Sequence, residues 1–257
     1  MMMQRLAVLL VSFASLCAPP AAWAQSTRLH FIGFAAGFRV VDLAADLVIG
    51  RQGYEASLNL QTLGVVNVLA HTETTSEVHG RWIGDAARPD LYNTRGVFNG
   101  EPHRMTLSYR DGQPSITTRL PDDADGREPV EQPLQANTID SLSAMMALLH
   151  RVADNGNCDG HARVFDGRRL SEIVAHTVGP ETLPATSRSV FEGSTLRCDF
   201  TGTELAGFKL SDNRARVSRP QHGSVWLASL APGGPMVPVR VSFHTGWVGD
   251  TVMYLVK

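Results

Sequence analysis

Four side chains able to bind a metal recur at even spacing in one short stretch: His71, Glu73, Glu77 and His79. At a period of two they share one face of a strand, where imidazole nitrogens and carboxylate oxygens could hold a divalent ion and activate water. Thr75 and Ser76 between them are residues of a solvated face, so the stretch is read as surface, with no metal and no cofactor. His161, His176, His222 and His244 are scattered without ligand spacing. Ser141 and Ser143 lie in neither a Gly-x-Ser-x-Gly elbow nor a Ser-x-x-Lys motif, since residue 146 is Met, and they are read as part of a helix start. Asp122 and Asp123 fall in a loop, and Gly33 to Gly37 is too sparse for a phosphate-binding turn. No catalytic residue is assigned, and a non-enzymatic protein is expected.

Recognition chemistry has more candidates. All basic residues except Lys209 and Lys257 are arginines, with local groups at Arg168-Arg169 and at Arg214, Arg216 and Arg219. Guanidinium forks suit carboxylate or phosphate, although a solvated strand face is the plainer reading. The few large aromatics include Trp82, Tyr92, Trp226 and Trp247. The candidate ligand or partner contacts are therefore Trp82, Tyr92, Arg168, Arg169, Trp226 and Trp247.

The first residues read as an export signal. Arg5 supplies the early positive charge, Leu6 to Ala18 form an uncharged apolar run, and Ala22-Trp23-Ala24 is a small-x-small cleavage site. Residues 1–24 are expected to be removed, leaving a periplasmic chain that starts at Gln25 and has no transmembrane segment. Two cysteines then remain, Cys158 and Cys198, and in an oxidising compartment they are expected to pair.

Alternation dominates the rest of the chain. Tyr54, Ala56, Leu58 and Leu60 alternate with polar residues, as do Met105, Leu107 and Tyr109, and Val237, Val239, Val241 and Phe243. Such strands bury one face and solvate the other, which is antiparallel sheet. Asn99-Gly100, Asp111-Gly112 and Asp166-Gly167 are hairpin turns. Roughly ten to twelve strands in a meander are expected. One segment, about 139–153, breaks the pattern: Leu142, Met145, Met146, Leu149 and Val152 have helical spacing, Thr138 or Asp140 can cap them, and Asn155-Gly156 ends them. A lone helix in such a protein plugs a barrel or covers an open sheet. Residues 121–135 carry six charges and three prolines and are read as a surface loop within a single domain spanning 25–257. The expectation is a mainly β fold: a large antiparallel barrel-like, spiral or half-barrel sheet with one central α-helix.

The 257 residues carry 23 basic and 25 acidic side chains, a formal charge of -2, which gives no electrostatic case for nucleic acid. At 43% hydrophobic, the chain is neither disordered nor fibrous.

Ordered motifs then become informative. Gly53-Tyr54 and Thr62-Leu63-Gly64 come first, then Gly80-Arg81-Trp82 and Arg88-Pro89-Asp90-Leu91-Tyr92. Ile139 to Ala144, Asp166 to Arg169, Val225-Trp226-Leu227 and Pro238 to Val241 complete the series. In this order they resemble the bacterial envelope family called domain of unknown function 3108, over about residues 28–256. Members often have Asp-Pro-Leu-Ser-Ala at the helix start, where this chain has Ser141 in place of the proline. The resemblance implies an exported β-rich protein, with no catalytic residue to carry over. The expected function is support of cell-envelope integrity by binding an envelope protein, lipid or peptidoglycan component. The alternatives are a carrier of a lipid or other apolar ligand inside the β structure and, more weakly, a metal-dependent hydrolase.

Overall fold

The alternating segments all become strands. A computed structural model describes residues 25–122, 126–245 and 249–257; the proposed export signal, residues 1–24, and Trp247 lie outside them. The strands are β1 (Gln25–Ala35), β2 (Phe38–Ile49), β3 (Gly53–Thr62), β4 (Thr72–Ile83), β5 (Ala86–Phe98), β6 (Glu101–Arg110) and β7 (Gln113–Leu120), then β8 (Gly160–Phe165), β9 (Leu170–Leu183), β10 (Gly193–Ala206), β11 (Gln221–Ser229), β12 (Met236–Thr245) and β13 (Gly249–Leu255). Helices are α1 (Gly64–Leu69), α2 (Gln132–Gln135), α3 (Ser141–Asn155) and α4 (Arg214–Val217).

All thirteen strands form one antiparallel sheet in the order β7-β6-β5-β4-β3-β2-β1-β13-β12-β11-β10-β9-β8. Two meanders are joined where β1 pairs with β13, with Phe31 opposite Leu255 and Phe34 opposite Val252. The expected tight turns are present. Asn99 and Gly100 take φ of 52° and 87°, and Asp111 and Gly112 take 52° and 77°, the left-handed pair that a right-twisted hairpin requires.

The sheet stays open, because β7 and β8 pair with each other at no point. α3 lies inside the curve, and Leu142, Met146, Leu149 and Val152 are buried against the inner sheet face. The segment before it bridges the gap. Asn137 N–H donates to Gly112 at 2.9 Å, Ile139 N–H to Arg163 at 2.9 Å, and Phe165 N–H to Ile139 at 2.9 Å. Both helix ends are well closed: Asp140 accepts from Ser143 N–H, and Gly156 takes φ 68°.

α1 is an element that the sequence reading did not include. It has no side-chain cap, so nothing local announces it. Its Asn67 shares a hydrogen bond with His71 at 2.7 Å.

Cys158 and Cys198 form a disulfide, with Cα atoms 6.1 Å apart and both residues fully buried. The bridge ties the segment after α3 to β10. Closing a loop of 40 residues is worth about 4 kcal/mol on the chain-entropy account. The double variant C158A/C198A is expected to lose about that much stability in urea denaturation, with its strand signal in circular dichroism unchanged.

Candidate functional site

The row His71, Glu73, Glu77 and His79 does not converge. His71 precedes β4 and turns to Asn67, while Glu77 is paired with Arg95 across the outer face at 2.9 Å. At about 3.3 Å per residue the row extends over some 26 Å. No group of three or more His, Cys, Asp or Glu side chains among the described residues could hold a metal.

Most of the candidate contacts fall in the framework. Trp82 stacks on His150 of α3, with ring centres 4.0 Å apart, and its indole N–H donates to Gly50 at 3.0 Å. Tyr92 is buried on the inner face of β5. Arg169 pairs with Asp166 at 2.8 Å inside the β8–β9 turn, and Arg168 donates to Pro121 at 2.9 Å.

A polar node lies in the interior. Asp140 and Ser143 are fully buried; the Ser143 hydroxyl donates to Asp140 at 2.6 Å, and Tyr54 donates to Ser143 at 2.7 Å. Gly80 permits this reach, because a β-carbon there would stand 2.6 Å from the Tyr54 hydroxyl oxygen. Desolvation outweighs the hydrogen bonds from Ser143 and pushes the Asp140 carboxyl up to about 6. Ser143 is sealed from substrate, so the node holds the helix and is not a nucleophilic site. Of the two expected caps, Thr138 and Asp140, it is Asp140 that closes the start of α3.

Beside α3 an apolar groove of about 230 Å3 remains, between Met145 and Leu148 on the helix and Phe200, Val225 and Val241 on the sheet.

A concave surface lies on the opposite, outer face of β9 to β13, with a volume of about 550 Å3. A cross-strand row borders it through Arg197 and Arg240. Arg197 lies opposite Trp226, Trp226 opposite Arg240, and Arg240 opposite Tyr254. Cation and ring thus alternate across four strands. Arg197 stands 5.4 Å from the Trp226 ring, and Arg240 stands 4.8 Å from Trp226 and 5.4 Å from Tyr254. Phe34 continues the row 5.8 Å from Tyr254, and Arg188 lies 4.6 Å over Phe34. Each desolvated contact of this kind is worth about 0.5–2 kcal/mol.

The two central guanidinium groups differ. Arg197 is satisfied by Asp199 at 2.9 Å and Glu181 at 3.3 Å. Arg240 has rings against it, no carboxylate partner among the described residues, and a buried Nε without an acceptor. Three histidines, His176, His222 and His244, line the same surface, with Asp199 and Asp250 as its acidic members. Burial pushes Asp199 upward, but hydrogen bonds from Ser224 and Arg197 hold its carboxyl below the usual range. Of the candidate contacts, Trp226 alone belongs to this row. Arg240 was missed in the sequence. Its signal is a cation at the outward position between inward Val239 and Val241.

Fold and site together define an open, β-barrel-like protein plugged by a helix. The chain belongs to the family described as protein of unknown function (DUF3108), whose pattern matches residues 26–256. It is similar in fold to the crystal structure of a β-barrel-like protein of domain of unknown function DUF1849 from Brucella abortus. That likeness covers 90% of this chain and 96% of the other at 11% identity, with a TM-score of 0.52. No curated protein matches the chain. Among the described residues no helix is long and apolar enough to cross a membrane.

The Asp140 node gives a pH dependence. An unfolded aspartate titrates near 3.9. The folded group holds its proton up to about 6, so its contribution to stability is present below the ordinary carboxylate range and is lost as pH rises through 6. Relative to D140N, wild-type stability is expected to fall by roughly 2–3 kcal/mol between pH 4 and pH 7. Urea titrations of both proteins across that range measure it; parallel curves would contradict it.

Proposed function

We propose that this is an exported, periplasmic, non-enzymatic binding protein that supports envelope integrity by holding an anionic envelope component on the outer face of β10 to β13. The observation that carries this reading is Arg240, a guanidinium packed against two rings in a concave surface of about 550 Å3, with no carboxylate partner among the described residues. Rings against the faces of such a group leave its terminal Nη–H donors for a carboxylate or phosphate. The volume falls within the roughly 300–1,000 Å3 of small-molecule sites. A chain with formal charge -2 has little long-range attraction for anions, so recognition would rest on this local geometry.

The alternatives have less support. The inner groove, about 230 Å3, is smaller than a typical ligand pocket, because α3 fills the interior. The metal-dependent hydrolase reading loses its convergent ligands.

The test is complementation. A strain lacking the gene is expected to be detergent-sensitive, to be rescued by the wild-type gene, and not to be rescued by R240A accumulated to equal level in the periplasmic fraction. R240K keeps the charge without the planar stack and is expected to rescue partially. Loss of one charge-assisted contact pair is worth about 1.5–3 kcal/mol, or roughly 10- to 150-fold in affinity. Full rescue by R240A, or a deletion strain as resistant as wild type, would overturn the proposal.

A further inference from the structure

The strand connections at one end of the sheet carry an exposed apolar surface. Val65, Val68 and Leu69 of α1 are 60%, 83% and 68% exposed. Their i, i+3, i+4 spacing puts them on one helix face. Phe38, at the tip of the β1–β2 hairpin, is 68% exposed, and Phe98, at the tip of the β5–β6 hairpin, is 46% exposed. The three elements are neighbours. Thr62, just before α1, lies opposite Val41, and Thr72, just after it, lies opposite Phe98.

This surface is held in place. Val66, the buried residue of α1, packs with Ala35 and Val40 on either side of the β1–β2 turn. Leu63 N–H donates to Val40 at 2.9 Å, and Asn99 N–H donates to His71 at 2.7 Å. Asn67, the one polar side chain of the helix, is engaged locally: its Oδ1 accepts from the Thr62 hydroxyl at 3.0 Å and meets His71 Nδ1 at 2.7 Å. From Leu63 to Ala70 the chain has no charged residue. The helix is thus fixed by Val66 and Asn67 and turns an apolar face to solvent.

Size and chemistry decide what covers it. Scaled from large side chains of roughly 150–250 Å2, the exposed parts of the five residues come to about 500 Å2. A contiguous apolar patch of that order marks an interaction site. It falls short of the roughly 800 Å2 per partner that a stable protein interface buries. Protein interfaces also carry about one hydrogen bond per 100–200 Å2, and none of these five side chains can form one. A bilayer requires neither. The rim has groups suited to headgroup level: Arg39 beside Phe38, His71 after α1, Glu101 opposite Phe98, and His103 edge-on to the Phe98 ring at 6.0 Å. With one arginine and one glutamate there, apolar contact rather than charge would hold the protein.

We propose that this end of the protein docks on a lipid bilayer, with the exposed face of α1, Phe38 and Phe98 inserted to the boundary between headgroups and acyl chains. The contact is interfacial and does not span the membrane. It is built on β1 to β6 and does not involve Arg240.

Flotation of the mature chain, residues 25–257, with unilamellar vesicles tests it. Phosphatidylcholine alone and phosphatidylcholine mixed with phosphatidylglycerol are the two probes. Binding to both is expected, changing less than about three-fold between about 50 and 500 mM salt. V68D/L69D alters two exposed positions and is expected to keep the wild-type circular dichroism while binding at least about ten-fold more weakly. V68W is expected to bind more tightly than wild type, with its added indole emission shifted to the blue by vesicles. R240A is expected to bind as wild type does. Wild type floating with neither vesicle, V68D/L69D binding as well as wild type, or binding confined to anionic vesicles and lost in salt would each overturn the proposal. So would loss of flotation in R240A, which would move the contact to the concave surface. A wild-type dimer that V68D/L69D splits without lipid would assign the patch to a second copy and overturn it as well.

Discussion

The structure depends on a buried carboxylate at the point where its sheet fails to close. Thirteen strands in one antiparallel order leave β7 and β8 with unpaired edges, and unpaired edges are a liability. The chain meets this by passing its own segment 137–140 through the gap, bonded to the β6–β7 turn on one side and to β8 on the other. Asp140 ends that segment and begins α3. Desolvating a carboxylate is costly, and here burial prevails even at a helix N-terminus, where the dipole favours negative charge. The cost is offset by position: Asp140, Ser143 and Tyr54 connect helix and sheet through two short hydrogen bonds. Removing the helix would expose the inner face of β3, β4, β5, β8 and β12.

With α3 inside, the two faces of the sheet have different roles. The inner face is apolar and nearly filled. The outer face is where side chains of adjacent strands can form rows without a packing constraint from the helix, and the row Arg197, Trp226, Arg240 and Tyr254 is such an arrangement. A ladder of this kind restrains its side chains, since each guanidinium is held over a ring. Rigidity matters for binding because little side-chain freedom remains to be lost.

Much of this was legible in the sequence, and what was hidden has a common cause. Alternation at Tyr54 to Leu60 and at Val237 to Phe243 located strands, because a half-buried strand must repeat every two residues. Asn99-Gly100 and Asp111-Gly112 located turns, because few other pairs accept two left-handed residues. Leu142 to Val152 located the helix by its period. Pairing register is a different kind of information. Nothing local in Pro238 to Val241 says that Arg240 stands between Trp226 and Tyr254, which are 14 residues away on either side. Likewise, the facing of Arg81 and Arg88 rests on a bulge at His79/Gly80 that shifts the β4–β5 register. The row at His71 to His79 shows the converse: its period is real, but a strand spreads side chains along a line, and a metal requires them to converge.

The disulfide connects these levels. Cys198 points inward on β10, between Arg197 and Asp199, which point outward into the concave surface. Its partner Cys158 lies just beyond the C-terminus of α3. The helix is therefore anchored at both ends, by Asp140 and Ile139 at one and by the disulfide at the other. A plug held this way cannot swing out to admit a large apolar ligand without breaking a covalent bond or uncovering a buried carboxylate. The same bridge holds β10 in place, and with it the two side chains that satisfy each other beside Arg240. Covalent anchoring thus keeps the core closed, and the outer face carrying Arg240 is the surface that stays accessible.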